Sequence, residues 1–299
     1  MESIHKTVLL KETIDGLNLG PGSFVLDCTF GGGGHSAEIC KRFPKVKIIA
    51  LDQDRNVFER VGDKFSILNC DISFINANFR DIDEVLQKNC TQEVDAIVFD
   101  LGLSSDQLGS SGRGFSFLID EPLLMTMKEN PLPEDITAGE IVNTWEEQSI
   151  ADIIYGYGEE KLSRRIAKAI VEHRKKAEIK TTFDLVKIIE GAVGGAYKRE
   201  RVHCATRTFQ ALRIAVNDEL RSLETGLRKG FNALRVNGRM SVISFHSLED
   251  RIVKRFFKEL EKEGQAKLIN KKPIIAGSEE LKNNPRARSA KLRILEKTK

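Results

Sequence analysis

Residues 27–36 read DCTFGGGGHS. Four consecutive glycines, between an apolar run and a helix-forming stretch, permit positive φ and let a ligand approach the backbone closely. In a doubly wound fold a nucleotide-like cofactor lies there, over the carboxyl ends of the strands. Three cofactor classes compete for such a turn. A Walker phosphate loop needs G-x-x-x-x-G-K-[ST], and no lysine follows these glycines. A dinucleotide fingerprint needs G-x-G-x-x-G; counted from Gly31, the third glycine falls on Ser36. S-adenosylmethionine has no pyrophosphate, so it needs room for a sulfonium and an amino-acid tail. An acid closing the second strand then accepts hydrogen bonds from the ribose hydroxyls, and Asp52 stands 21 residues after Gly31. A glycine run alone also fits a flexible turn. The order strand, glycines, helix, strand, acid favours the cofactor.

Asp100 begins a second candidate, DLGLSS at residues 100–105. A carboxylate leaving the fourth strand faces the same crevice, on the side where a substrate enters. Methylation of an exocyclic amine needs a polar acceptor that holds the lone pair toward the methyl and helps remove the proton. Asp100 and the Ser104 hydroxyl are candidates for that work. Asp-x-Gly is also ordinary turn chemistry. His246 stands at the mouth of a fifth strand; a lone histidine is more often a hydrogen-bond partner than a base, and the same applies to His203. No Cys/His/carboxylate group has ligand spacing, so no catalytic metal is expected.

The elements that must position these residues alternate. Residues 23–28, 45–51, 65–69 and 95–99 read as strands, the third weakly, with helices over 36–42 and 55–64 between them. That order argues an α/β fold, a parallel sheet with helices on both faces. Residues from about 106 to 207 contain few β-branched runs, and Pro122, Pro131 and Pro133 mark loops near their start. Helices are expected at 150–155, 161–176 and 182–190. Phe209, Leu212, Val216, Leu220, Leu223, Leu227, Phe231 and Leu234 then form one apolar stripe on a helix of about seven turns. Asn237-Gly238 stops it, and 239–244 is the fifth strand. Ser247 is the expected N-cap of a further helix, with Asp250 three residues on. Residues 267–269 and 292–295 can pair as two last strands.

The chain has 299 residues, 40% hydrophobic and 30% charged, which suits a packed core and excludes disorder as the main state. No window carries the run of about 20 apolar residues a membrane helix needs. The first residues show neither a signal-peptide core nor an Arg-rich transit pattern. Five cysteines, odd in number and without a C-x-x-C pair, argue against a disulfide framework and suit a reducing cytoplasm. The net charge of +3 conceals an asymmetry. Residues 254–299 hold 14 Lys or Arg and 6 Asp or Glu, a balance of +8, on a body of −5. Further cations gather at Lys161, Arg164, Arg165 and Lys168, at 174–176, and at Lys198, Arg199, Arg201 and Arg207. Arg286 and Arg288 share one loop. Any single run suits a solvated face; their joint presence around a methyl-donor crevice points to RNA rather than DNA or a small molecule.

Several longer stretches carry a resemblance: HKTVLL at 5–10, GGHS at 33–36, DLGLSS with Gln107, RGFSF at 113–117, YGEE at 157–160, ATRTFQALRI at 205–214, SFHSLEDRIVKR at 244–255 and NPRARS at 284–289. Together they resemble, over nearly the whole chain, the MraW (RsmH) family of methyltransferases that modify N4 of a cytidine at the decoding centre of 16S ribosomal RNA. The resemblance implies a class I, Rossmann-like methyltransferase domain (1–107 and 208–299) with an inserted all-helical, substrate-recognising subdomain (108–207). It implies S-adenosylmethionine contacts at Gly33, Gly34, His35, Asp52, Phe79, Asp100 and Gln107. Arg113, Arg207, Arg286 and Arg288 are the candidate RNA contacts. The implied partner is the small ribosomal subunit, in the cytoplasm; oligomeric state stays open. Residues 122–128 read PLLMTMK where the family usually reads P-L-D-M-R-M-[DN], so Leu124 replaces a carboxylate and Thr126 a guanidinium. Cys204 likewise stands where proline is usual. This departure keeps a second reading alive: a donor-binding assembly factor that docks on the subunit with little or no turnover. A methyltransferase for another RNA position is the third.

Overall fold

The computed structural model describes residues 6–68, 70–128, 131–132, 134–195, 197 and 202–299. The readings of residues 1–5, Asn69, Pro133, Lys198, Arg199 and Arg201 lie outside the described residues. The strands are β1 (Phe24–Asp27), β2 (Lys47–Asp52), β3 (Asp71–Asn76), β4 (Val94–Asp100), β5 (Leu234–Ser244), β6 (Ala266–Leu268) and β7 (Lys291–Lys297). The helices are α1 (Leu10–Leu17), α2 (Gly34–Arg42), α3 (Asn56–Ile67), α4 (Ile82–Lys88), α5 (Ser105–Ser110), α6 (Ala138–Thr144) and α7 (Glu147–Gly158). They continue with α8 (Ser163–Arg174), α9 (Thr182–Ala192), α10 (Thr206–Asn217), α11 (Glu219–Ala233), α12 (Ser247–Lys262) and α13 (Ser278–Asn283).

The chain divides into two compact units, Met1–Ser104 with Leu220–Lys299, and Ser105–Glu219. The first is an α/β unit of Rossmann-like architecture. Its seven strands take the order β3-β2-β1-β4-β5-β7-β6. β1 to β5 run parallel, and β7 runs against β5 and β6. Alternation along the strands builds a core on each face. Val25, Ile48, Ala50, Ala96 and Val98 pack under α1, α2 and α3. Leu26, Ile49, Leu51, Ile97 and Phe99 pack under α4, α11 and α12. The order reverses between β1 and β4, and a crevice at such a switch point lies beyond the strands' carboxyl ends.

The second unit is helical. Thr137 caps α6 through the Glu140 amide, and Thr181 and Asp184 form a capping box on α9. α7 packs on α8 and α10, and α8 on α9. Because α10 packs here, the unit extends past residue 207, where the sequence reading ended the insertion.

Four expectations are corrected. The third strand is Asp71–Asn76, not 65–69; Phe65 is buried on α3, and its apolar neighbours belong to that helix. The seven-turn helix is two, because Asp218 adopts φ 48° and ends α10 before α11 begins. β5 starts at Leu234, ahead of Asn237-Gly238, rather than at Arg239. His246, not Ser247, caps α12: its Nδ1 accepts the Glu249 amide at 3.5 Å, and the Glu249 side chain returns to the His246 amide.

The cysteines are the fifth correction. Cys40, near the end of α2, is disulfide-bonded to Cys70, just before β3. Nothing in the spacing of two cysteines 30 residues apart shows that helix and strand bring them together. The cysteine pattern therefore no longer supports a reducing compartment. Closing a loop of that length contributes about 3–4 kcal/mol in the chain-entropy account. Dithiothreitol, or Cys70→Ser, should lower Tm accordingly; an unchanged thermal melt would show that the bond contributes nothing. No helix among the described residues is long and apolar enough to cross a membrane.

Candidate active site at the strand ends

Three neighbouring strands each close on an aspartate: β2 on Asp52, β1 on Asp27 and β4 on Asp100. The glycine turn follows β1. Gly33 caps α2 at φ 67°, and a Cβ there would stand 2.6 Å from the Phe30 ring and 2.9 Å from the Phe65 ring. Only glycine fits both the dihedral and the space. Gly33→Val should cost about 2–4 kcal/mol from backbone strain and overpacking, read as a drop in Tm; a wild-type melt would mean that the turn relaxes freely. Gly34 and His35 open α2, and His35 is buried.

Each carboxylate has its own environment. The Asp52 Oδ2 accepts the Gly31 amide at 2.8 Å and its Oδ1 the Asp54 amide at 2.9 Å. Burial pushes its pKa up to about 6 against those hydrogen bonds. Asp27 is buried, accepts the Ser36 hydroxyl at 2.6 Å and the Thr29 amide at 3.2 Å, and burial pushes it up to about 6. Asp100 lies highest. Burial, then the Asp27 and Glu249 carboxylates, push it up to about 8. Its amide donates to the Thr29 hydroxyl at 2.5 Å, and its Oδ2 stands 3.7 Å from the His35 Nδ1. Its Oδ1 is buried and has no hydrogen-bond partner among the described residues.

Burial, hydrogen bonds and neighbouring carboxylates shape the shifts of these three acids. Such a row suits a ligand with hydroxyls to donate and a positive charge to place.

The other candidates fall in several places. Phe79 begins a short 3-10 helix after β3, packs edge-on to Phe99 at 5.5 Å and stays partly exposed. Asn78, just before it, donates to the Gln53 side chain at 3.0 Å, which ties the exits of β2 and β3. Ser104 is half-buried between β4 and α5. Gly102 has φ 97°, so the turn reading of Asp-x-Gly also holds. Gln107 is buried on α5, in the helical unit.

Among the arginines, Arg286 and Arg288 are exposed on a 3-10 turn (Pro285–Ser289). Arg207 is partly exposed; it donates to the Tyr197 hydroxyl at 3.0 Å and stands 3.6 Å from the buried Glu160. Arg113 is corrected. It is 8% exposed, and its guanidinium donates to the Thr126 and Met127 carbonyls at 3.3 and 2.9 Å. That is a brace for the loop, not a cation offered to RNA. His246 is likewise occupied as a cap, with its Nε2 3.2 Å from Glu249.

Sequence reasoning missed Thr29 and Glu249, and gave Asp27 no role. Asp27 was legible, since it closes its strand as Asp52 and Asp100 do. Glu249 reaches the Asp100 environment only through the fold.

A pattern describing the MraW methylase family matches residues 2–298. Ribosomal RNA small subunit methyltransferase H of Clostridium botulinum (strain Kyoto / Type A2) is 44% identical, over 99% of this chain and 100% of that protein. The Brevibacillus brevis protein of the same name is 42% identical, over 98% of each. Matched over residues 2–298 and at 44% identity along nearly the whole chain, the protein belongs to the MraW methylase family.

Proposed function

We propose that this protein transfers a methyl group from S-adenosylmethionine to N4 of a cytidine in the decoding centre of 16S ribosomal RNA, in the cytoplasm. The observation that carries the reading is the buried, unpartnered Oδ1 of Asp100 at the end of β4, beside a glycine turn and near Asp27. The donor supplies an electrophilic methyl on a sulfonium. Asp52 accepts from the ribose hydroxyls, Phe79 flanks the adenine, and Gly33, Gly34, His35 and Gln107 line the rest. Asp100, with Ser104, holds the exocyclic amine so that its lone pair points at the methyl, and takes part in removing the proton. Transfer is direct and in line, and positioning lowers the barrier by several kcal/mol (about 7 or more in favourable cases). The cytosine is splayed from its stack to reach the site. Arg207, Arg286 and Arg288 meet the RNA.

The departure at residues 124–128 bears on the docking-factor alternative. The Met127 amide donates to the Asn217 side chain at 2.7 Å, and that side chain donates to the Met125 carbonyl at 2.8 Å. With Arg113, these bonds read main-chain atoms and hold the loop path alongside the Thr126 hydroxyl, which accepts the Lys128 amide at 3.2 Å. That supports an active enzyme. The test is nucleoside mass spectrometry on small subunits that lack this methylation, incubated with the protein and labelled donor. N4-methylcytidine at the decoding centre is the expected product. No product, with donor binding demonstrated, would favour the docking factor, and Leu124 and Thr126 would be the positions to revert.

A further inference from the structure

The sequence places cations on α8 and α9 without saying what they surround. In the structure they line a groove of about 430 Å³ within the helical unit. Arg165, Lys168 and Glu172 recur on one exposed face of α8, while Ile166, Ala167 and Ile170 bury the other. Lys176 follows α8, and Lys187 joins from α9. Four cations thus stand against one acid, and that acid is 3.8 Å from Lys168. The apolar lining is Ala169, Ile188, Gly191 and Ala192. A Cβ at Gly191 would meet nothing within 4 Å, so the space above it is open.

We propose that this groove docks the phosphodiester backbone of folded ribosomal RNA, as a surface additional to Arg207, Arg286 and Arg288. The proposal rests on the RNA-methylating function above and names where the helical unit grips its substrate. Its length excludes a single small anion: from Arg165 to His173 α8 advances about 12 Å at 1.5 Å per residue, and the cations are spread along that length. The chemistry disfavours readout of unstacked bases. Among the described residues no Phe, Tyr or Trp lines the groove and His173 is its one ring, so there is no broad platform for stacking. What remains is charge around a short apolar lining, which matches backbone binding and positions without reading sequence.

Two variants test it. Arg165→Glu/Lys187→Glu reverses two charges. Gly191→Glu places a carboxylate in the open space without a packing clash and with better helix propensity than glycine. Affinity for naked 16S ribosomal RNA, transcribed in vitro and labelled, is measured across a salt series. Donor affinity is measured alongside and should match wild type in both. The double variant should bind RNA at least tenfold more weakly at low salt. Its slope of log K against log salt should shallow by about 2, because each phosphate neutralised by a cation contributes about 0.9 to that slope. Gly191→Glu should weaken binding in the same direction. Unchanged RNA affinity and slope in both variants would overturn the proposal. So would weakened binding to intact subunits with unchanged binding to naked RNA, which would assign the groove to a ribosomal protein. Failure of the methyltransferase reading is separate: it would appear as wild-type protein that binds RNA and donor but leaves no methylcytidine.

Discussion

Asp100→Asn should stabilise the ligand-free protein at pH 8.5 while slowing methyl transfer by about 10²–10⁴-fold, the usual range for a lost acid–base group. The two effects have one origin. In an unfolded chain an aspartate titrates near ~3.9, whereas in the fold Asp100 titrates at about 8. Between those values the folded protein binds the extra proton, so stability falls as pH rises through the interval. Asparagine cannot ionise and escapes the loss. The Tm gap between variant and wild type should therefore widen from pH 5 to pH 8.5, by about 2–4 °C per kcal/mol in a chain of this size. A gap independent of pH would show that Asp100 is not held near 8. The transfer defect, read in single turnovers at saturating donor, tests a different claim. An unaltered rate would remove Asp100 from the reacting atoms and leave it a structural acid.

The sheet was legible where each strand had its own signal. β1, β2 and β4 are continuous apolar runs closed by turn chemistry, as buried parallel strands should be. β3 lies at the sheet edge and is half-exposed, so its signal is the alternation of Ile72 and Phe74 with polar residues. The apolar run just before it, from Phe65, competes on hydrophobicity alone, and a short run does not distinguish a strand from a buried helical turn. The break at Asp218 was hidden for a related reason. Residues on α10 and α11 keep the helical spacing through it, because both helices bury an apolar face. One left-handed residue leaves little trace in a periodicity.

At the site, position along the chain was informative and environment was not. Asp52 and Asp100 could be placed at strand ends because a strand-end acid is a local pattern, and the strands do end on them. Which acid is neutral near pH 7 is not local. It depends first on burial, then on Asp27 one strand away and on Glu249 near the start of α12. Arg113 shows the opposite error: in sequence it is an arginine in a glycine-rich loop, and only the Thr126 and Met127 carbonyls reveal that its donors are already used inside the fold.

The second large effect concerns pH and the charge of the donor. The preference for S-adenosylmethionine over S-adenosylhomocysteine should grow as pH rises from about 6 to about 8, by up to tenfold per unit. Below about 8 Asp100 is mostly protonated and offers a sulfonium a dipole rather than a charge. Above it, the carboxylate and the cation attract across a partly desolvated site. The bound cation lowers the Asp100 pKa, and by linkage the proton released makes affinity rise with pH. The ratio of the two affinities is the sensitive quantity. The ligands share their adenosine, amino group and carboxylate, so titration of those groups cancels. Asp52, at about 6, is proposed to meet the shared ribose; on that reading Asp52→Asn should weaken both ligands alike and leave the ratio's pH dependence intact. Asp100→Asn should flatten it. Calorimetric titrations with both ligands, repeated in buffers of different ionisation enthalpy, read the ratio and the released proton together. Parallel pH profiles for the two ligands in the wild-type protein would mean that no carboxylate near β4 faces the sulfonium, and Asp100 would then lose its place in the donor site as well as in the transfer step.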